Sequence, residues 1–282
     1  MCPLTSAMFV EKKKIKGKTY LYLRKSTREG KKTSTKTVAY LGKATMKKTE
    51  LQRKVQKFKI MEENAPPPGL TFRFLTEAQQ KKLQQIRIEF TQKLKHLDQQ
   101  LLDDMFRDFK TYYIYNTNAI EGNTLTLEET NLLLNENKTP EGKDLREVYD
   151  HLNEKKTFDY ILASKPEIST KSIIDMHARL MKNIDARIGF RRHNVRVVGA
   201  EFTPTAAEYV CTDMNLLLKW YQQYEKMMNP LILAAIFHEK FERIHPFYDG
   251  NGRTGRMLLN LILLRKEYPP LIIKNKERKD YY

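Results

Sequence analysis

Pro66, Pro67, Pro68 and Gly69 follow one another, and no helix or strand can run through them. Three successive residues lack a backbone N–H and have φ fixed, and the glycine adds freedom of its own. The 282-residue chain is thereby divided into parts of different character. Residues 7–43 alternate apolar and polar side chains, as in KTYLYLR and TKTVAYLG, around Gly17, the Arg28-to-Gly30 turn and Gly42. That period of two predicts a small antiparallel β-meander. Residues 47–60, KKTELQRKVQKFKI, predict a short basic helix. The division expected is a module over 1–62, a Pro-rich linker over 63–75 and a helical domain over 76–282.

Charge follows the same division. The chain carries a net +17, yet residues 11–60 hold 18 Lys and Arg against Glu11, Glu29 and Glu50, a net +15. The remaining residues are nearly neutral, so the basic character belongs to one short module. Residues 11–60, with Tyr20, Tyr22 and Tyr40 among the lysines, fit phosphate contact and base stacking, which makes nucleic acid a candidate partner. A solvated lysine-rich face on a small adaptor is the plain alternative. Two cysteines, Cys2 and Cys211, give no disulfide framework and no CxxC metal pair, and a reducing, cytoplasmic setting is expected. The longest apolar runs fall well short of a bilayer span, and the N-terminus does not read as a secretion signal, so no membrane partner is expected.

From Thr76 the period becomes helical. Leu83, Ile86, Phe90, Leu94, Leu97 and Leu101 predict one long amphipathic helix, and Thr126 with Glu129 forms a capping-box pattern before another. Residues 231–244, LILAAIFHEKFERI, predict an apolar helix that stops at His245-Pro246, and residues 253–264 predict a second one just after Gly252. Only residues 189–204, where Val195 and Val197 alternate before Gly199, read as a hairpin.

Between the two apolar helices lies HPFYDGNGRTGR, residues 245–256. Glycines flanking Asn251 at a helix start let backbone N–H groups converge on an anion. Arg253 and Arg256, three apart, share a helical face and can hold further phosphates. Asp249 is placed to bind Mg²⁺ bridging phosphate oxygens, and His245 to take a proton from a hydroxyl near neutral pH. Each residue alone has a bland explanation in a core histidine, a turn or a solvated face. Together in twelve residues they point to nucleophilic displacement at a nucleotide phosphate.

This stretch resembles the Fic family motif HPFxxGNGRxxR at all eight fixed positions, with Asp249 at the variable acidic one. Similarity extends over most of residues 80–282, including Ile173 to His177, GFR before the hairpin and HExF before the motif. The resemblance implies a mainly α fold, a Fic-type helical domain with a β-hairpin flap, preceded here by the small basic meander. It implies a protein adenylyltransferase, moving AMP from ATP to a Ser, Thr or Tyr hydroxyl of a target protein and releasing pyrophosphate. His245 would be the general base and Asp249 the Mg²⁺ ligand. Gly250, Asn251 and Gly252 would hold the α and β phosphates, Arg253 and Arg256 the β and γ phosphates. Phe247 would anchor the loop.

TNAIEG, residues 117–122, resembles the family's inhibitory sequence, with the inhibitory helix near 105–121. By that resemblance Glu121, with Thr117, pairs with Arg256 and blocks productive ATP binding, or orients water for AMP removal. Val195, Arg196 and Val197 match the flap that receives a target segment by strand addition, and Tyr281 and Tyr282 match positions near the nucleoside. Rival readings are a nucleic-acid-binding regulator with a nucleotide-sensing Fic-like domain, and transfer of a different phosphate-linked group. Zinc chemistry of the HExxH type is set aside, because His245 follows His238 by seven residues rather than four. No G-x-S-x-G nucleophile motif occurs.

Overall fold

Three antiparallel strands begin the chain: β1 (Thr5–Ile15), β2 (Lys18–Glu29) and β3 (Lys32–Lys43), in the order β1-β2-β3. The structure is a computed structural model that describes residues 5–15, 17–29, 32–63, 75–197 and 202–281. Period-two alternation sends Leu21, Leu23 and Leu41 to one side of the sheet, where they are buried with Met8, Val10 and Ala39. The helix α1 (Lys48–Glu63) covers that side through Leu51 and Val55. Lys54 donates to the Leu41 carbonyl at 3.1 Å, tying helix to sheet. The register of β2 on β3 shifts between Leu21 and Tyr22 and again between Leu23 and Arg24, the signature of β-bulges.

The chain divides into compact units at Met1–Pro67 and Pro68–Tyr282. In the second unit α2 (Glu77–His96) and α3 (Gln99–Ile120) replace the single long helix that the leucine spacing predicts. Leu97 closes α2 in an extended conformation, and Asp98 opens α3 by accepting the Leu101 N–H at 2.9 Å. A carboxylate that caps a new N-terminus stops the old helix while the apolar period runs on. Next come α4 (Leu127–Asn135), α5 (Leu145–Ser164), α6 (Thr170–Leu180) and α7 (Val210–Tyr224). α8 (Pro230–Ile244), α9 (Asn251–Arg265) and the short α10 (Arg278–Tyr281) complete the unit. The Thr126 capping box forms reciprocally, with Glu129 N–H donating to Thr126 Oγ1 at 3.1 Å and Thr126 N–H to Glu129 Oε2 at 2.7 Å.

α9 is the axis of this unit. Met257, Leu258, Leu261 and Ile262 are fully buried, and so are most of the helix's remaining residues, as expected of a helix surrounded on every side. It packs on α8, α6, α5 and α3. Its N-terminus is therefore presented from the middle of the domain rather than from the rim. No helix among the described residues is long and apolar enough to cross a membrane.

The hairpin expected over 189–204 is not formed among the described residues, since neither 189–197 nor 202–206 holds a strand. Val195, Arg196 and Val197 run as coil, and residues 198–201 lie outside the described residues. The two arms are held by side chains instead of by a ladder. Arg191 donates to the carbonyls of His193 and Thr205, and Asn194 Oδ1 accepts the Ala207 N–H at 2.8 Å. Backbone groups satisfied in that way have no need of cross-strand partners.

Candidate active site

His245 leaves α8 in the left-handed region, with φ 51° and ψ 61°. Pro246 disfavours helical geometry there, and the left-handed region costs a residue with a Cβ about 1–2 kcal/mol. The surroundings hold it in place. Its N–H donates to the Phe241 carbonyl at 2.9 Å, and its carbonyl accepts from Arg191 Nε at 2.7 Å. Phe247 is fully buried and lies flat on His177, ring centroids 3.7 Å apart. His177 Nε2 in turn donates to the Asp249 carbonyl at 3.0 Å. Asn251 closes the loop on itself: its Oδ1 accepts the Phe247 N–H at 2.8 Å and its Nδ2 donates to the Phe247 carbonyl at 3.0 Å. The Asn251 side chain is thus engaged with the loop backbone. Gly250 starts α9 at φ 74°, where a Cβ would come within 2.6 Å of Met181 Sδ, so both conformation and space require glycine.

α9 begins at Asn251, which puts Gly252 inside the first turn rather than before it. The Glu121 carboxylate occupies the space into which a Gly252 Cβ would project. Glu121 caps the C-terminus of α3 before Gly122 turns the chain, and its Oε1 accepts from Arg256 Nη2 at 2.6 Å. Thr117, one turn earlier, accepts from Arg256 Nε through Oγ1 at 2.7 Å and from Nη2 through its carbonyl at 3.1 Å. Burial pulls the Arg256 pKa down, but Glu121 and Tyr281 together outweigh it and the guanidinium is held well above its ordinary value. Arg253, also buried, donates to Asp150 on α5 and stands 3.7 Å from Asp249. Both arginines therefore face a protein carboxylate.

Residues 167–263 match the family described as Fic/DOC. The chain carries a Fic/DOC family domain. It is 38% identical over 184 residues to protein adenylyltransferase fic-1 of Caenorhabditis briggsae, an alignment covering 63% of this chain and 36% of the relative. It is 34% identical over 215 residues to protein adenylyltransferase Fic of Nematostella vectensis, covering 67% and 50%. The chain thus spans about a third to a half of the length of these curated relatives. Among solved structures, a Fic domain containing signaling protein from Bacteroides thetaiotaomicron superposes with a TM-score of 0.64 at 27% identity, covering 71% of this chain and 79% of that one. Fic-1 from C. elegans superposes with a TM-score of 0.60 at 29% identity, covering 83% and 75%.

Within the Fic domain, burial holds the His245 imidazole below its ordinary pKa, so it is neutral at neutral pH. Its buried Nδ1 faces Glu242, 3.9 Å away and one turn back on α8, which leaves Nε2 as the nitrogen for chemistry. Burial would raise the Asp249 pKa, but Arg253 and Arg146 hold it below the ordinary value. Oδ1 accepts the Gly250 N–H at 2.6 Å and Oδ2 pairs with Arg146. Among the described residues no group of three or more His, Cys, Asp or Glu could hold a metal ion by itself. A single ionised carboxylate suits a hard cation that keeps its waters and shares substrate phosphates, which is the way Mg²⁺ is usually bound.

Tyr281 brings α10 to the same place, its hydroxyl 2.6 Å from His238 Nε2 and in contact with Arg256. Tyr282 lies outside the described residues. Several residues of the Fic domain escape the motif. Arg191 clamps the loop from outside, while Asp150 and Arg146 neutralise Arg253 and Asp249. Glu154 is fully buried near both arginines with neither oxygen hydrogen-bonded, and burial pushes its pKa up to about 8. Burial of its surroundings also pushes the half-buried Glu242 up to about 7. The spacing of Glu242 three residues before His245 was the only one of these signals available in sequence.

Proposed function

We propose that the chain is a protein adenylyltransferase that moves AMP from ATP to a Ser, Thr or Tyr hydroxyl of a target protein and is restrained by Glu121. The observation that carries this reading is a carboxylate lodged against the first turn of α9 and bonded to Arg256, beside a neutral histidine. A site that accepts a carboxylate there has the N–H groups and cations to accept phosphate. The names of the nematode and sea-anemone relatives support the same chemistry.

In this reading the N-terminus of α9 receives the phosphate chain, with Arg253 and Arg256 turning from Asp150 and Glu121 to phosphate oxygens. Asp249 would hold Mg²⁺, which supplies charge neutralisation to the triphosphate. His245 Nε2 removes the proton from the target hydroxyl. That oxygen forms a bond to the α phosphorus, the bond to the bridging oxygen breaks, and pyrophosphate leaves with its electron pair. Positioning and charge stabilisation carry most of the acceleration. While Glu121 holds Arg256, the γ phosphate lacks its guanidinium and ATP lies unproductively. The coil at residues 195–197, which is in no strand among the described residues, would receive a target strand.

The test compares wild type, Glu121→Gly and Glu121→Gly with His245→Ala, each given Mg²⁺ and ATP labelled at the α or the γ phosphate. Retention of α label alone on protein, strongest in Glu121→Gly and lost without His245, is expected. No retention in any variant that binds ATP overturns the proposal.

A further inference from the structure

The side of the sheet opposite α1 carries no covering element within the first unit among the described residues. Since Leu21 and Leu23 point toward α1, their neighbours Tyr20, Tyr22 and Arg24 point away from it. Strand register sets Lys13 and Lys43 beside Tyr20, Glu11 and Tyr40 beside Tyr22, and Phe9 and Thr37 beside Arg24. The Tyr40 ring lies 6.1 Å from Tyr20 and 5.4 Å from Tyr22, and Tyr40 and Phe9 are 55% and 44% exposed. Glu11, the acidic side chain in this array, is 3.2 Å from Arg24 and so is neutralised. What remains is a cluster of aromatic rings bordered by Lys13, Lys18 and Lys43.

Each neighbouring class of partner fits this surface less well than one. An anionic membrane or an acidic protein would use the lysines and leave the flat ring faces without a counterpart. A duplex hides its base faces in the stack. A single strand offers both unpaired base faces and phosphates at short intervals, matching rings and cations set one strand apart.

We propose that this open side of the sheet binds single-stranded nucleic acid, with Phe9, Tyr20, Tyr22 and Tyr40 stacking on bases and Lys13, Lys18 and Lys43 meeting phosphates. The proposal is independent of the adenylyl transfer reading, because none of these residues belongs to the Fic domain.

The test measures fluorescence anisotropy of the full chain with labelled single strands of about twenty nucleotides, DNA and RNA, and with the corresponding duplex. Unlabelled anionic vesicles serve as a competitor. Single strands should bind more tightly than duplex, with affinity falling as salt rises. Tyr40→Ala, an exposed position whose fold is checked by circular dichroism, should weaken single-strand binding about ten-fold. Lys13→Glu with Lys18→Glu and Lys43→Glu should abolish it near physiological salt. Duplex binding as tight or tighter, full displacement by vesicles, wild-type affinity in Tyr40→Ala, or no binding even at low salt would each overturn the proposal.

Discussion

Glu121 Oε1 accepts a hydrogen bond from Arg256 Nη2 at 2.6 Å, joining residues 135 positions apart in sequence. Thr117 takes a second N–H of the same guanidinium, so the last turn of α3 grips Arg256 from two levels. Thr117→Ala should leave Arg256 Nε buried without a partner and lower stability by about 1–3 kcal/mol. By the proposed restraint the same change should also loosen the hold on Arg256, so label transfer from ATP should rise above wild type but stay below Glu121→Gly. Denaturant unfolding and label incorporation on one preparation check both halves.

Arg191 spends its guanidinium on four backbone carbonyls, those of Ile244, His245, His193 and Thr205. A lysine keeps the charge but not the planar fork. Arg191→Lys should destabilise the domain by about 2–4 kcal/mol. In the Glu121→Gly background it should lower kcat more than it weakens ATP affinity, because Arg191 grips the loop at the base rather than at the glycines. Calorimetric ATP titration beside initial rates separates the two.

In its proposed role as base His245 must be neutral, and burial lowers its pKa from the ordinary 6.5. Protonation therefore begins at a lower pH than for a free imidazole. The acid limb of the rate profile of the Glu121→Gly variant should therefore have its midpoint below the ordinary 6.5. A rate profile with its acid midpoint above 6.5 would contradict the assignment of His245 as base.

Glu154 has a raised folded-state pKa, about 8 against the ordinary 4.5. Between those values the unfolded chain ionises this carboxyl while the folded one keeps its proton. Its contribution to stability is thus complete below about pH 4.5 and is lost as pH rises through about 8. Glu154→Gln should flatten that slope, leaving the variant more stable relative to wild type at pH 8 than at pH 5 by more than about 1 kcal/mol. Urea midpoints at the two pH values decide it.

The candidate catalytic loop was legible because its residues are contiguous: His245, Asp249, the glycines and both arginines fall within twelve residues. The β-meander was legible because a period of two survives in a short, turn-bounded segment. Asp150, Arg146 and Glu154 were not, since their meaning lies in partners about a hundred positions away, and in sequence they look like an ordinary polar helix face. The break at Asp98 was masked by leucines that keep their spacing through Leu97 and Leu101. Val195 and Val197 suggested a strand, but the described residues around them hold none, and the neighbouring backbone of His193, Thr205 and Ala207 is bonded to the side chains of Arg191 and Asn194.

Arg191 also makes two regions of the Fic domain mechanically one. Its fork ties the carbonyl of His245 to those of His193 and Thr205, the two shoulders of the coil that contains residues 195–197. Tension on either shoulder reaches the His245 backbone through this rigid group, helped by the Tyr248 hydroxyl at the His193 shoulder and the Arg243 carbonyl at Thr205, without crossing α9. In the adenylyl-transfer reading proposed above, a polypeptide that grips the coil would set the aim of His245 while leaving the grip of α3 on Arg256 untouched, giving the domain two separate handles, one for its base and one for its phosphate clamp.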